Sequence, residues 1–352
     1  MADVIPVFDG HNDTLLRFAR AAAKSPDELF RQDTGGHFDL PRARAGGFAG
    51  GLFAAFTPSN ASPDLTGRME GRSYDLPLPP QLSPDTAQAW TARMFAILLR
   101  LERSFPDDLA VCRSVADIRA STAAGKIAAV FHIEGAEAID ADFAMLDVLH
   151  AAGLRSLGLV WSRPNLFAHG VPFRFPATPD IGPGLTDAGR ALVQACNQRN
   201  ILIDLSHLNE QGFWDVAKLT SAPLVATHSN MHALCPSARN LTDRQLDAIR
   251  ESGGMVGLNF ATCFLRPDGA MRADTELDWM VRHLDALIER LGEDGVGFGS
   301  DFDGAVVPAE IGSVAGLPRL FDKLREAGYS ETVLRKLGCE NWLGILARTW
   351  AC

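Results

Sequence analysis

Eight short apolar runs, rich in β-branched and aromatic residues, recur along this 352-residue chain with amphipathic stretches between most of them. They are Val4–Asp9, Gly50–Phe56, Ile127–Ile133, Arg155–Trp161, Ile201–Ser206, Leu224–Thr227, Met255–Phe260 and Gly295–Gly299. Apolar runs that alternate with helical ones are the sequence sign of βα units. The intervening runs carry helix punctuation. Asp85–Arg103 opens behind Ser83-Pro84, and Leu185–Arg199 has Thr186 and Asp187 as capping and first-turn residues. Thr242–Ser252 starts from a Thr242 cap and stops at Gly253, and Asp274–Leu291 reads similarly. Eight such units fit a (β/α)8 TIM-type barrel of somewhat more than typical length. A doubly wound open sheet is the alternative, but no G-x-G-x-x-G or phosphate loop accompanies the first strand.

Length alone allows two ordinary domains or one large barrel. No long polar linker divides the chain, so residues 1–352 are read as a single domain. Two long segments, Thr57–Gln81 and Phe167–Pro183, depart from short βα connections and are expected to shape the binding mouth. A net charge of −10 argues against nucleic acid, whose phosphates attract Lys and Arg clusters. No apolar run approaches a bilayer span, so no membrane partner is expected. Met1-Ala2-Asp3 leads into strand-like sequence without a signal core, and a cytoplasmic location is expected. Cys112, Cys196, Cys235, Cys263, Cys339 and Cys352 form no C-x-x-C pair and read as buried thiols in a reducing compartment.

The chemistry lies in polar residues where strands end. Side chains at i and i+2 of an extended segment share a face, so His11 and Asp13 can reach one cation together. Glu134, His207, His228 and Asp301 stand directly after later runs, at the barrel face where catalytic groups gather. Any one of these alone reads as a strand-end polar group or a satisfied core histidine. As a set they are imidazoles and carboxylates suited to zinc or a similar dication. An acid following Val130-Phe131-His132-Ile133 is also expensive to bury unpaired, which favours a cation beside it. His37, His132, His150 and His283 are read as structural, His232 as a loop residue, and Asp303 as a tether for its loop.

The order of these motifs resembles the renal (membrane) dipeptidase family of zinc metallopeptidases, within the amidohydrolase-like barrel enzymes. The matching segments are Asp9-Gly10-His11-Asn12-Asp13, His132-Ile133-Glu134-Gly135, Asp204-Leu205-Ser206-His207, Thr227-His228-Ser229-Asn230, Ala238-Arg239-Asn240-Leu241 and Gly299-Ser300-Asp301-Phe302-Asp303-Gly304. The resemblance implies two zinc ions per subunit, with His11 and Asp13 on one, His207 and His228 on the other, and Glu134 on both. It further implies a hydroxide between the ions that attacks a dipeptide amide, with Asp301 as general base and acid and Arg239 on the substrate carboxylate. L-Xaa-D-Xaa dipeptides are the implied substrates, and a homodimer is left open. One position departs: Trp161 stands where family members commonly show a histidine that polarises the scissile carbonyl. His169, eight residues further along, is expected to fold back and substitute.

The rival reading is a related amide or lactam hydrolase on the same dinuclear site. A nucleobase-type deaminase fits less well, because such sites open with His-x-His. A non-catalytic binding barrel has no need of an acid placed as Asp301 is.

Overall fold

All eight expected strands form, with shifted ends. In the computed structural model, which describes residues 4–33, 35–59 and 67–350, they belong to eleven strands numbered along the chain. The barrel strands are β1 (Val7–Asn12), β2 (Phe48–Phe56), β5 (Ile127–Glu134), β6 (Leu154–Gly158), β8 (Leu202–Asp204), β9 (Val225–Ala226), β10 (Met255–Asn259) and β11 (Val296–Gly299). They pair in that order, each parallel to the next. The ring closes where the Asp13 amide donates to the Phe302 carbonyl at 2.8 Å and the Asp301 amide to the His11 carbonyl at 3.0 Å. This is a nearly closed parallel barrel with helices between its strands, the (β/α)8 type. The short β4 (Leu109–Val111) pairs with β5 off this path. A two-stranded antiparallel ribbon joins β3 (Tyr74–Asp75) to β7 (Arg174–Phe175).

Two boundaries bear on the site. β1 runs to Asn12 because its end pairs with the loop after β11, so His11 lies within the strand instead of after it. Glu134 likewise closes β5, while β6 ends at Gly158 and leaves Trp161 in the following loop. The helices keep their predicted punctuation: the Ser83 side chain accepts from the Thr86 amide at the start of Pro84–Ser104, and Thr186 caps Asp187–Gln198. Thr242 forms a capping box with Gln245 ahead of Asp243–Glu251. One helix starts later than expected, at Asp278 instead of Asp274. Arg272 pairs with Asp274, and the Thr275 hydroxyl donates to the Arg272 carbonyl, which holds that stretch in a turn. The β3–β7 ribbon zips the two long mouth segments together; the part of the first that spans 60–66 lies outside the described residues, as do Met1-Ala2-Asp3 and Cys352.

Apolar side chains fill the barrel's amino-terminal end. Phe8, Leu52, Val130, Leu202, Val225 and Met255 pack there with Trp342, which enters from the helix Asn341–Trp350. The Trp342 indole is fully buried and donates to the Phe298 carbonyl at 2.9 Å. Just above, three strands crowd one backbone oxygen. A Cβ added at Gly10, Gly257 or Gly299 would lie 2.6, 2.0 or 1.9 Å from the Thr227 carbonyl. Only glycine permits such an approach, and it fixes Thr227 directly beneath the site. Emptying the floor should loosen the whole ring. Trp342→Ala is expected to cost roughly 3–5 kcal/mol, seen as a lower urea midpoint with an unchanged slope.

Candidate metal centre

Several ligand candidates are placed by a nameable backbone device. The register of β1 against β2 breaks between Asp9 and Asn12, and such breaks re-aim side chains beside active sites. His207, Asp301 and Asp303 adopt φ of +66°, +59° and +67°, in the left-handed region that non-glycine residues avoid. Strain of that kind persists only where the surroundings enforce it, and here it falls on three residues of the site loops.

One oxygen of Glu134 is the focus. Its Oε1 lies 2.9 Å from His207 Nε2, 3.5 Å from His228 Nε2 and 3.8 Å from His11 Nε2. The Nε2 atoms of His207 and His228 are 3.2 Å apart, and Asp13 Oδ2 is 3.6 Å from His11 Nε2. His11, Asp13 and Asp301 form a group whose ligand atoms lie within 4.8 Å of one another, as do His11, Glu134 and His228. The sequence-selected ligands therefore converge. Asp303 does not join them: it accepts from the Thr14 hydroxyl, the Arg17 guanidinium and the His37 amide, and so tethers its loop.

A polar layer underneath aims these ligands. Thr227 Oγ1 donates to Asp204 Oδ2 at 2.6 Å and lies 2.8 Å from His228 Nδ1. A hydroxyl has one proton; spent on Asp204, it must accept from His228 Nδ1–H, which leaves the Nε2 lone pair facing Glu134. Asp204 is locked in turn by the amides of Ser206 and Thr227. Ser162 Oγ stands 2.9 Å from His207 Nδ1. Asn259 donates to Asp301 at 3.0 Å, and Asp9 takes both the amide and the hydroxyl of Ser300 at 2.7 Å. His132, read from sequence as structural, belongs to this layer, bonded to Ser156 and 3.7 Å from Asp204. Its shared parity with Glu134 was the available signal. Asp204 and Thr227 stand inside the matching motifs, but their role needs two neighbouring strands in register.

The residues fit a cation. His11 has no hydrogen-bond partner at either ring nitrogen, and Asp13 Oδ1 has none, although both residues are buried. Burial opposes charge on His11, yet the carboxylates of Glu134, Asp13 and Asp301 outweigh it and hold the imidazole up at about 10. Burial also drives Glu134 well above the usual carboxylate range and raises Asp301. His207 and His228 are pushed well below an ordinary imidazole, by burial first and then by the charges of Arg239 and His11. Carboxylates crowded this closely in a buried site need positive charge beside them, which a bound cation would provide. An all-nitrogen-and-oxygen donor set suits zinc and its neighbours.

The other two selected residues lie differently. Arg239 is buried beside the cluster, with Nη1 donating to Ser229 Oγ and Nη2 to the His228 carbonyl, both at 2.9 Å. Its guanidinium sits 5.7 Å above the Phe264 ring, and Nε has no partner. His169 is not brought to the cluster. Its carbonyl accepts from the Asn209 amide and Gly170 bridges to Leu208, which leaves its ring against Gly182, off the pocket wall. Trp161 occupies that wall instead, 6.0 Å from the His207 ring. The cavity above the centre measures about 540 Å3 and is lined by Asp13, Glu134, His207 and Asp301 together with apolar side chains.

A parallel barrel carrying imidazoles and carboxylates on one focus, at the carboxyl ends of its strands, defines the class of metal-dependent hydrolases. Comparison with known proteins gives the family. Residues 1–351 match the model of the membrane dipeptidase family (peptidase family M19), and the chain belongs to that family. It is 54% identical to dipeptidase AC, a family M19 metallopeptidase, over 99% of this chain and 100% of that one, with a TM-score of 0.97. It is 55% identical to a Rhodobacter sphaeroides metallopeptidase crystallised with a phosphinate mimic of the dipeptide L-Ala-D-Ala, again with a TM-score of 0.97 and coverage of 99% and 100%. A Klebsiella pneumoniae protein known as the uncharacterized protein in the pqqA 5′region is 50% identical over 73% of this chain and 95% of its own length.

Two outcomes follow for metal binding. Thr227→Val removes the hydroxyl that aims His228 and should weaken zinc affinity about 10–100-fold in chelator competition. Zinc uptake should also release protons. His11 keeps its proton up to about 10, and only the deprotonated ring binds metal, so affinity should rise as pH rises from about 6 to about 8. Calorimetric titration in buffers of different ionisation enthalpy measures that release.

Proposed function

We propose that this protein is a dinuclear zinc dipeptidase acting on dipeptides of the L-Xaa-D-Xaa type. The observation that carries the reading is the single Glu134 oxygen set among three imidazoles, with Asp13 and Asp301 grouped around His11. In this assignment His11 and Asp13 would hold one ion, His207 and His228 the other, and Glu134 would serve both. Two zinc ions so held would supply Lewis acidity and a water that ionises near neutral pH.

The chain's own groups do the rest. Asp301, raised by desolvation and oriented by Asn259, takes the proton of the attacking water and delivers it to the leaving amine nitrogen. Arg239 lends positive charge felt by both Glu134 and Asp301, and anchors the substrate's terminal carboxylate through the guanidinium N–H groups its two bonds leave free, that of Nε among them. Asp204, Thr227 and Ser162 hold the imidazoles in the tautomer and orientation that binding needs. The R. sphaeroides relative's dipeptide mimic supports a dipeptide as the substrate. Cytoplasmic residence is part of the same proposal, supported by the five described cysteines, all free and buried.

Elemental analysis of protein purified without added metal should give two zinc equivalents per chain, with a large fall in Glu134→Ala. Asp301→Asn should lower kcat about 10²–10⁴-fold while the metal stays bound. The substrate panel pairs L-Ala-D-Ala with L,L-dipeptides, N-acyl amino acids and a β-lactam. Turnover of the acyl or lactam compounds with L-Ala-D-Ala left intact would transfer the assignment to the rival amide hydrolase.

A further inference from the structure

The cavity above the metal centre has a wall of one chemical kind. Four rings follow one another along it, with centroids 4.9 Å apart for Phe56 and Trp161, 5.5 Å for Trp161 and Phe173, and 6.2 Å for Phe173 and Phe264. They come from distant parts of the chain: the end of β2, the loop after β6, the approach to β7, and the short helix Thr262–Leu265. The middle of the arc lies beside the metal centre, with the Trp161 and Phe173 rings 6.0 and 6.4 Å from that of His207. Its far end is Phe264, beneath the Arg239 guanidinium. Of the carboxylates that line the same cavity, Asp13, Asp301 and Asp303 come from the loops after β1 and β11, which are neighbours in the ring, while Glu134 closes β5 in register with Phe56.

The arc is also braced from behind. The fully buried Arg163 lays its guanidinium against both Phe56 and Trp161, at 5.7 and 5.6 Å. It is held by Glu137 at 2.9 Å and by the Thr57 carbonyl at 3.2 Å. A buried ion pair is a costly way to support a surface, and it fixes these two rings before any ligand arrives. Phe173 and Phe264 are set by a separate small core with Met69, Tyr74, Leu76 and Phe175.

We infer that this arc receives the side chain of the substrate's carboxylate-bearing residue, and that the preferred substrates are dipeptides ending in a bulky apolar or aromatic residue. The inference rests on the dipeptidase reading above. A side chain on the residue anchored at Arg239 lies against Phe264 and Phe173. A large apolar group there displaces water from ring faces, whereas a carboxylate would lose its hydration without gaining a partner. Glycine would leave the arc wet.

The test is kcat/KM of the zinc-loaded enzyme for L-Ala-Gly and for L-Ala-D-Xaa with Xaa as Ala, Leu, Phe and Glu. The Leu and Phe peptides should exceed the Gly and Glu peptides by at least about tenfold, the scale of discrimination an apolar pocket achieves. Phe173→Ala should bring the Phe-to-Gly ratio toward one, and Phe173→Leu should restore part of it. A ratio is insensitive to the fraction of enzyme that folds. A flat series, or a preference that appears only in an L-Xaa-D-Ala series, overturns the inference and leaves the dipeptidase reading intact. Failure to cleave any dipeptide overturns both.

Discussion

Six ionisable side chains, three of them carboxylates, share the mouth of this barrel, and the positive charge of Arg239 offsets only part of theirs. That deficit organises the structure around it. Carboxylates at Asp13, Glu134 and Asp301 crowd three imidazoles at the floor of the cavity. A low-dielectric interior magnifies every such interaction, which makes an unpaired group costly and a shared cation strongly favourable. The layer below serves the same end. Asp204, fixed by two amides, holds Thr227; Thr227 fixes the tautomer of His228; and three glycines let neighbouring strands close on Thr227 itself. Small residues in the barrel wall and imidazole orientation in the site are one problem solved together.

How much of this was legible in the sequence depends on how far apart the partners lie. The strands were readable because alternation of apolar and amphipathic runs is a local property, and their order in the ring follows from parallel βα connections. The His11–Asp13 pair was readable for a similar reason, since two-residue spacing on extended chain has one geometric meaning. Thr227 and Asp204 were not, because their bond crosses from β8 to β9 and depends on a register that no short window contains. Trp161 and Phe173 have nothing in common along the chain beyond being aromatic; only the folded mouth makes them neighbours. Arg163 and Glu137 are 26 residues apart and meet only because β5 and β6 are adjacent. His169 shows the opposite failure: a plausible residue type in the right loop, turned away by backbone bonds its neighbours make.

The mouth segments also carry a lesson about loops. Long connections on a barrel's active face are easily pictured as lids that swing. Here β3 and β7 pair, the Tyr74 hydroxyl donates to the Gly269 carbonyl, and the Met271 amide reaches the Met69 carbonyl. These bonds bind loops from three barrel strands into a second apolar core beside the cavity. Specificity built on such a wall comes from preorganisation, with little ordering left to be done when substrate enters.

The seam of the ring has a consequence of its own. First and last strands are fastened by amides and carbonyls of His11, Asp13, Asp301 and Phe302, so backbone closure and ligand placement are vested in the same few residues. At this hem, parting the strands would pull His11 and Asp301 apart in the same motion. The enzyme would then lose its circular outline and its reactivity as a single event.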